Sequence, residues 1–262
     1  MPELPDLHVF AGNLTKRVCG RPIASATVFN PRRVSALSSA LEGLLVGQTI
    51  EAIEREGKEL RFSFSNGQAF CVHLMLLGRF ELVPREKLHA VNSKILALGF
   101  EGGEHLTISD RMGQAKVTLN PEPSKVPDAL SEAFTLDYLT RIARKKAALC
   151  LKEFLIDQHI VRGIGNAYAD EILWKANLSP KSLAGKLPPD ALADLYAAIP
   201  WILLDAIEQI KRLKPDIISG EERSFLRVHK PKTFYTQEGQ PILNEEIAKK
   251  STYYTSSQRL FV

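Results

Sequence analysis

The spacing of hydrophobic positions changes three times along the chain, and each change predicts a different kind of structure from the one before it. Apolar side chains in residues 4–18 recur every three or four positions, which predicts an amphipathic helix. Short alternating apolar segments separated by turn residues follow, which predicts the strands of a sandwich or barrel. The strand candidates are residues 49–53, 60–64, 69–77, 94–98, 106–109 and 116–119.

Three prolines between residues 121 and 127 mark a linker, after which the pattern becomes helical. Helical spacing extends to about residue 213, and strand character returns at residues 225–228 and 251–255. We therefore expect an α+β multidomain chain. Its domains are a β domain with a leading helix at residues 1–122, a helical domain at 128–215 and a terminal hairpin at 222–262.

The composition of the chain indicates a globular protein without a disulfide framework. A chain of 262 residues with 45% hydrophobic and 24% charged residues is typical of a globular protein with its own core. The three cysteines are odd in number and far apart, which favours a reducing compartment and gives no zinc-ligand spacing. The six histidines are scattered, so we expect no metal. With no leader and no apolar run of ~20 residues, we expect a cytoplasmic protein, associated with the nucleoid if bacterial.

Positive charge is concentrated in one segment. Residues 141–162 carry six Lys or Arg against two acidic residues, an excess equal to the net charge of +4 on the whole chain. Such a cluster suits a nucleic-acid partner, although a solvated helix face is its commoner meaning.

The candidate chemistry lies at the amino terminus. Removal of Met1, which a small second residue permits, leaves the secondary amine of Pro2 beside the carboxylate of Glu3. An α-amino group titrates near ~8 and a lysine near ~10.4, so more of this amine is free to attack a sugar aldehyde carbon at neutral pH. The resulting iminium is an electron sink, and Glu3 can shuttle protons. The alternative is structural, because proline and an acid both suit the start of a helix.

A second motif lies in the helical part, where Gly163 and Gly165 flank Ile164 and Asn166 follows. The glycines allow a tight turn, Asn166 can cap the next helix, and the free N–H groups of that helix form a phosphate site beside Arg162. A plain helix–turn–helix corner is the alternative interpretation.

Several motifs occur together in a specific order along nearly the whole chain. They are Met-Pro-Glu-Leu-Pro-Asp at the start, Gly57-Lys58 before a strand, His73-Leu to Gly78, Ser109-Asp-Arg-Met-Gly113, and Gly-Ile-Gly-Asn-Ala-Tyr-Ala-Asp-Glu ending at Glu171. This set resembles the formamidopyrimidine-DNA glycosylase/endonuclease VIII family. The resemblance implies an N-terminal catalytic β-sandwich, a helix–two-turns–helix DNA-binding domain and a C-terminal finger formed by a β-hairpin.

The resemblance also implies an activity, a bifunctional DNA glycosylase and abasic-site lyase of base-excision repair that needs no cofactor. The amine of Pro2 would attack C1′ of the damaged nucleotide, Glu3 would act in ring opening and proton transfer, and Lys58 would contact DNA near the lesion and assist catalysis. The implied partner is damaged double-stranded DNA, bound by a monomer.

DNA-binding residues follow from the same resemblance. Asn166 matches the phosphate-binding asparagine, Arg162 lies beside it, and Lys250 replaces the phosphate-gripping arginine of the finger, unless the alignment slips by one and Lys249 does. Because the damaged base must leave the duplex, side chains must fill the space it vacates. The void-filling positions are Leu76, Arg111 and Met112, and Arg111 also contacts DNA.

Besides Lys250, the chain departs from the family pattern in its finger, in one loop and at Asp6. The usual four zinc-binding cysteines fall near Tyr235, Glu238, Thr255 and Gln258, which predicts a zincless finger. It would be held by packing of Phe225, Phe234, Ile242, Tyr253 and Tyr254. The loop at residues 218–225 is short, so we expect ring-opened purines or oxidised pyrimidines to be favoured over 8-oxoguanine. Asp6 replaces the usual glutamate.

Two other functions stay open. A lesion-binding or DNA-binding protein of the same fold without catalysis would result if Met1 were retained. An RNA-binding or ribosome-associated helix–turn–helix protein would need only the helical block and the basic charge. Pro2, Glu3 and Lys58 argue against that second alternative, because binding alone requires none of them.

Overall fold

The computed structural model describes residues 1–35 and 38–262 and divides them into two compact units. The first unit is Met1–Pro123 with Leu213–Glu221, and the second is Ser124–Arg212 with Glu222–Val262. The domain limits expected from the sequence stay a prediction.

The first unit is a β-sandwich with a leading helix. Its elements are α1 Leu4–Val18, β1 Ile23–Val28, a 3-10 turn Pro31–Arg33, α2 Ser38–Leu45, β2 Ile50–Glu56, β3 Glu59–Phe64, β4 Ala69–His73, β5 Gly78–Pro84, a 3-10 helix Arg85–Ala90, β6 Lys94–Phe100, β7 Glu104–Asp110 and β8 Lys116–Leu119. Two antiparallel four-stranded sheets have the strand orders β1-β6-β7-β5 and β2-β3-β4-β8. Phe62 of β3 contacts Phe70 of β4 and Phe80 of β5, with ring centroids 4.9 and 5.8 Å apart, so the two sheets share one aromatic core.

The second unit is helical and ends in a two-stranded antiparallel hairpin. Ala248 and Lys249, which join its strands, both have positive φ (53° and 59°), as a tight hairpin turn with the native twist requires. No helix in residues 1–35 and 38–262 has the length and apolar character to cross a membrane. The elements are α3 Leu136–Lys145, α4 Leu151–Ile156, α5 Asn166–Lys175, a 3-10 turn Ala184–Lys186, α6 Pro189–Leu213, β9 Ile242–Ile247 and β10 Lys250–Thr255.

The α+β multidomain fold class expected from the sequence is confirmed, but two strand predictions are wrong in detail. The strand expected at residues 69–77 ends at His73, because the N–H of Gly78 closes a turn onto the carbonyl of Leu74 at 2.8 Å. A Cβ at Gly78 would lie 2.2 Å from that oxygen, so only glycine fits. The strand expected at residues 225–228 does not form, because the N–H groups of Arg227 and Val228 donate to the carboxylate of Glu171 instead.

Candidate active site and nucleic-acid interface

The two proposed catalytic residues at the amino terminus lie just before the first turn of α1. Pro2 is buried, and Glu3 is the N-cap residue with 4% of its surface exposed. The N–H of Glu3 donates to the Asp6 carboxylate at 2.9 Å as part of a capping box. Because this is the positive end of the helix dipole, a positively charged amine here is disfavoured and the free amine favoured.

The amino group of the chain belongs to Met1 and pairs with the carboxylate of Glu221. While Met1 is present, the nitrogen of Pro2 is an amide nitrogen and cannot attack a sugar. Imine chemistry at Pro2 therefore requires removal of Met1.

Lys58 lies in the tight turn between β2 and β3. The paired residues Glu56 and Glu59 close this turn, and Gly57 within it has a φ of +62°. The residue is only 9% exposed, an unusual state for a lysine, and α1 packs against this hairpin. The hairpin that carries Lys58 thus packs against the helix that follows Pro2 and Glu3.

His73 begins one of the family motifs, at residues 73–78, but no role was predicted for it. Burial, and then the positive charges of Lys58 and Lys116, lower the pKa of His73 from 6.5 to about 4. Its Nδ1 accepts the N–H of Met75 at 3.0 Å, which leaves Nε2 to carry the proton of the neutral ring. A signal was available in the sequence, because His73 directly precedes the loop that carries Leu76.

The void-filling candidates lie on two neighbouring loops. Gly78 pairs with Asp110 across β5 and β7, so the loop before β5 and the loop after β7 begin side by side. Leu76 and Met112 lie on these loops and are 48% and 50% exposed. Arg111, beside Met112, lines a cavity of about 420 Å³. The structure therefore brings all three candidates to one edge of the sandwich.

Asp110 fixes the second of these loops. Its Oδ1 accepts the N–H of Met112 at 2.9 Å, and its Oδ2 accepts the N–H groups of Gln114 and Ala115 at 2.6 and 2.8 Å. The residue is 3% exposed. Asp110 therefore shapes the loop that presents Arg111 and Met112.

In the second unit, Asn166 does not cap α5 as expected. The N-cap is Gly165, and Asn166 is the first helical residue. Its Nδ2 instead donates to the carbonyl of Ser251 at 3.0 Å, which holds the side chain beside Lys250 on the hairpin. Its Oδ1 is buried and has no hydrogen-bond partner among residues 1–35 and 38–262. The first N–H groups of α5 retain the geometry that binds phosphates.

The turn before α5 is held by side-chain bonds. Gly163 has a φ of +103°, which requires glycine, and its N–H donates to Gln158 Oε1 at 2.9 Å. Gln158 Nε2 donates to the carbonyl of Ile164 at 2.9 Å. Arg162 is half-buried, and its N–H donates to the carbonyl of Pro127 at 2.9 Å.

Lys152, one of the six basic residues of the charged segment, is fully buried, so it does not belong to a solvated helix face. Its Nζ donates to the Asn166 carbonyl at 2.7 Å and to Asp170 Oδ1 at 2.6 Å. Asp170 Oδ2 lies 2.7 Å from His229 Nδ1 and accepts the N–H of Tyr253 at 2.9 Å. This network connects the start of α5 to the hairpin strand β10.

Glu171 fixes the segment that runs to the hairpin. Its two oxygens accept the N–H groups of Arg227, Val228 and His229 at 2.8 to 2.9 Å. Burial raises the pKa of Glu171, and these three hydrogen bonds oppose that rise.

Hydrogen bonds join two of the positions at which the finger cysteines were expected to be replaced. Gln258 Oε1 accepts the N–H of Thr255 at 2.7 Å, and Gln258 Nε2 donates to the carbonyl of Leu178 at 2.7 Å. Tyr253 and Tyr254 are buried as expected, but Phe234 is 73% exposed and does not pack. The described parts of the chain, before residue 36 and after residue 37, contain no group of three or more His, Cys, Asp or Glu suited to a metal.

Comparison with known proteins identifies the family. The family model described as "Formamidopyrimidine-DNA glycosylase N-terminal domain" matches residues 1–117, and "Formamidopyrimidine-DNA glycosylase H2TH domain" matches residues 126–214. The formamidopyrimidine-DNA glycosylase of Enterococcus faecalis is 31% identical and covers 97% of this chain and 95% of its own. That of Carboxydothermus hydrogenoformans is 30% identical, with 97% and 98% covered.

Solved structures agree with these sequence matches. The Lactococcus lactis enzyme bound non-covalently to DNA containing an abasic site superimposes with a TM-score of 0.84 at 25% identity, covering 98% of this chain and 100% of the other. MutM in complex with DNA containing carbocyclic 8-oxo-G gives a TM-score of 0.85 at 26% identity, with the same coverage. The chain therefore belongs to the formamidopyrimidine-DNA glycosylase family and is a DNA glycosylase of base-excision repair.

Proposed function

We propose that this glycosylase removes oxidised bases from damaged double-stranded DNA and then cleaves the abasic site, using the amine of Pro2. The observation that carries the proposal is the position of Pro2 and Glu3, both buried before the first turn of α1, with Asp6 holding the backbone of Glu3.

The chemistry follows from these two residues. The Pro2 nitrogen forms a bond to C1′ and the bond from C1′ to the base breaks, so that the base leaves with the electron pair and takes up a proton. Glu3 takes the remaining proton from the Pro2 nitrogen and transfers it to the ring oxygen of the sugar, which opens the ring and gives the iminium. Loss of a proton from C2′ then expels the 3′ phosphate, and a second elimination expels the 5′ phosphate.

For DNA binding, we propose that Asn166, Lys250 and Arg162 bind phosphates while Leu76, Arg111 and Met112 fill the space of the extruded base. The contact between Asn166 and Ser251 supports the first group, and the exposed loops of the sandwich support the second. We further propose that Lys58 assists near the lesion, that a monomer binds the duplex, and that the finger needs no zinc.

For the substrate, we propose ring-opened purines or oxidised pyrimidines in preference to 8-oxoguanine, because the segment after α6 is short. The structure of the Lactococcus lactis enzyme has been solved in complex with DNA containing an oxidised pyrimidine. It superimposes on this chain with a TM-score of 0.85 at 26% identity. A panel of duplexes that differ only in the lesion tests this preference, and fastest release of 8-oxoguanine would contradict it.

A catalytically silent DNA-binding protein is the second candidate, and the pairing of the Met1 amine with Glu221 favours it whenever Met1 is retained.

Borohydride trapping on a duplex with one abasic site tests the lyase. Protein that has lost Met1 should give a covalent adduct, and Pro2→Gly and Glu3→Gln should abolish or strongly reduce it. If the processed protein gives no adduct, the proposed role of Pro2 in abasic-site cleavage is wrong.

A further inference from the structure

We infer that Glu221 is a further catalytic residue, which accepts the proton of the Pro2 ammonium and then balances the charge of the iminium. This inference rests on the proposed function of Pro2. It assigns a role to a residue on the segment after α6, far from the amino terminus in sequence.

The first observation is that the amino group of Met1 pairs with the Glu221 carboxylate. Removal of Met1 transfers the amino terminus to Pro2, whose Cα is ~3.8 Å from that of Met1. A glutamate side chain has three rotatable bonds, so its carboxylate can follow the amine over this distance. Its side chain is 35% exposed, which leaves it room to move.

The second observation is that the segment leading to Glu221 is anchored to the rest of the first unit by contacts that do not involve Met1. Asn13 Nδ2 donates to the carbonyls of Pro215 and Ile217, both at 2.8 Å. Ser219 Oγ accepts the N–H of Phe80 at 2.7 Å and donates to the carbonyl of Phe80 at 2.6 Å. Asn13 lies on α1, the helix that follows Pro2, so the same helix positions both partners.

The charged neighbours leave this role to Glu221. On α1, Asp6 is committed to the N–H of Glu3, and Glu3 itself is assigned to the sugar. On the β2–β3 hairpin, against which α1 packs, Lys58 is a cation and cannot accept a proton while charged. On the segment after α6, the Glu221 carboxylate contacts the amine.

Each proton of the Pro2 ammonium has a destination. The ammonium gives its first proton to the Glu221 carboxylate, and the neutral amine attacks C1′. As the bond to the base breaks, the protonated Glu221 returns its proton through water to the departing base. The second proton of the Pro2 nitrogen passes to Glu3, which transfers it to the ring oxygen of the sugar, so that the ring opens and the iminium forms. The regenerated Glu221 carboxylate then lies beside the positive iminium nitrogen and stabilises it.

The pH dependence of imine formation separates this role from a structural one. A carboxylate beside an amine raises the pKa of the amine. Glu221→Gln should therefore move the rising limb of the profile to lower pH by about one unit. At alkaline pH, where the amine is already neutral, the variant should form the imine about tenfold more slowly, because the iminium has lost its counter-charge.

The experiment is single-turnover cyanoborohydride trapping on a preformed abasic site, with Met1 removal verified by intact mass. The matched control is Glu222→Gln, which removes the neighbouring acid. It should keep the rising limb of the pH profile and the rate of imine formation of the wild type. Glu221→Asp should restore the wild-type limb, and thermal unfolding verifies that each variant is folded. If Glu221→Gln forms the imine with the wild-type pH profile and rate, the role of Glu221 alone is overturned. The same holds if imine formation is slower but the rising limb of its pH profile does not move. A wild-type protein that gives no adduct would overturn the proposed function as well.

Discussion

The carboxylate of Asp6 accepts the backbone N–H of Glu3 at 2.9 Å, and both residues are almost completely buried. This contact fixes the direction in which the chain enters α1, and therefore the positions of Pro2 and Glu3, for which we propose the catalytic roles. Because aspartate is shorter than the glutamate usual in this family, the start of α1 depends on one short side chain.

Replacing Asp6 by alanine should lower stability and imine formation together. Loss of the capping interaction costs about 1 kcal/mol of unfolding free energy, and Glu3 loses its backbone restraint. Asp6→Asn keeps an acceptor oxygen and should lie closer to the wild type. Urea unfolding and borohydride trapping measure the two effects, and an Asp6→Ala variant as stable as the wild type would rule out the capping role.

Leu76→Ala should slow base release from duplex DNA by about tenfold, because nothing then fills the stack beside the extruded base. The same lesion in a single strand should be released at a nearly unchanged rate, since it has no stack to fill. Leu77, the equally exposed neighbour, is the matched control. Equal losses in Leu76→Ala and Leu77→Ala would show that Leu76 has no special role.

Lys250→Ala should weaken DNA binding for all sequences and reduce the slope of log K against log salt by about 1. Lys249 lies in the hairpin turn and provides the control. Binding titrations at several salt concentrations measure both variants. If Lys249→Ala alone changes the slope, the phosphate contact belongs to Lys249.

Gln258→Ala should destabilise the finger by about 2 kcal/mol, because the N–H of Thr255 and the carbonyl of Leu178 lose their partner. Ser256→Ala, at an exposed position, should have little effect. A metal chelator should leave the unfolding midpoint of the wild type unchanged. A lower midpoint with chelator would mean that the finger does bind a metal.

Stability should rise between pH 4 and pH 6.5 in part because of His73. The folded protein holds this ring neutral down to a pKa of about 4, whereas the unfolded chain takes up a proton near 6.5. The unfolded state therefore binds more protons in this window and is favoured as the pH falls. His73→Gln should flatten this part of the stability profile, and the exposed His89→Gln should not. Equal profiles for both variants would contradict a buried neutral His73.

Local sequence patterns predicted much of the fold because alternation and turn residues act over a few positions. β8 has the predicted bounds, and the hairpin strand β10 covers the strand predicted at residues 251–255. The strand expected at residues 225–228 failed because a distant acid, Glu171, binds the backbone N–H groups that a sheet would have used. No local pattern reports such a partner.

In the candidate site, too, local sequence patterns indicated residues but not their distant partners. Motifs indicated Pro2, Glu3 and Asn166, since each has a characteristic sequence neighbourhood. They could not indicate that Asn166 binds Ser251 on the hairpin, or that Glu221 contacts the amino terminus, because these pairs are 85 and 220 residues apart. Long-range contacts of this kind depend on how the strands and helices pack.

Locating the covalent adduct with abasic DNA tests directly whether Pro2 is the nucleophile. Protein without Met1 is trapped with borohydride on abasic DNA, digested with nuclease and protease, and mapped by mass spectrometry. If Pro2 is the nucleophile, the sugar-derived mass lies on the amino-terminal peptide, at the nitrogen of Pro2. An adduct on a lysine such as Lys58, with an unmodified amino terminus, would contradict it.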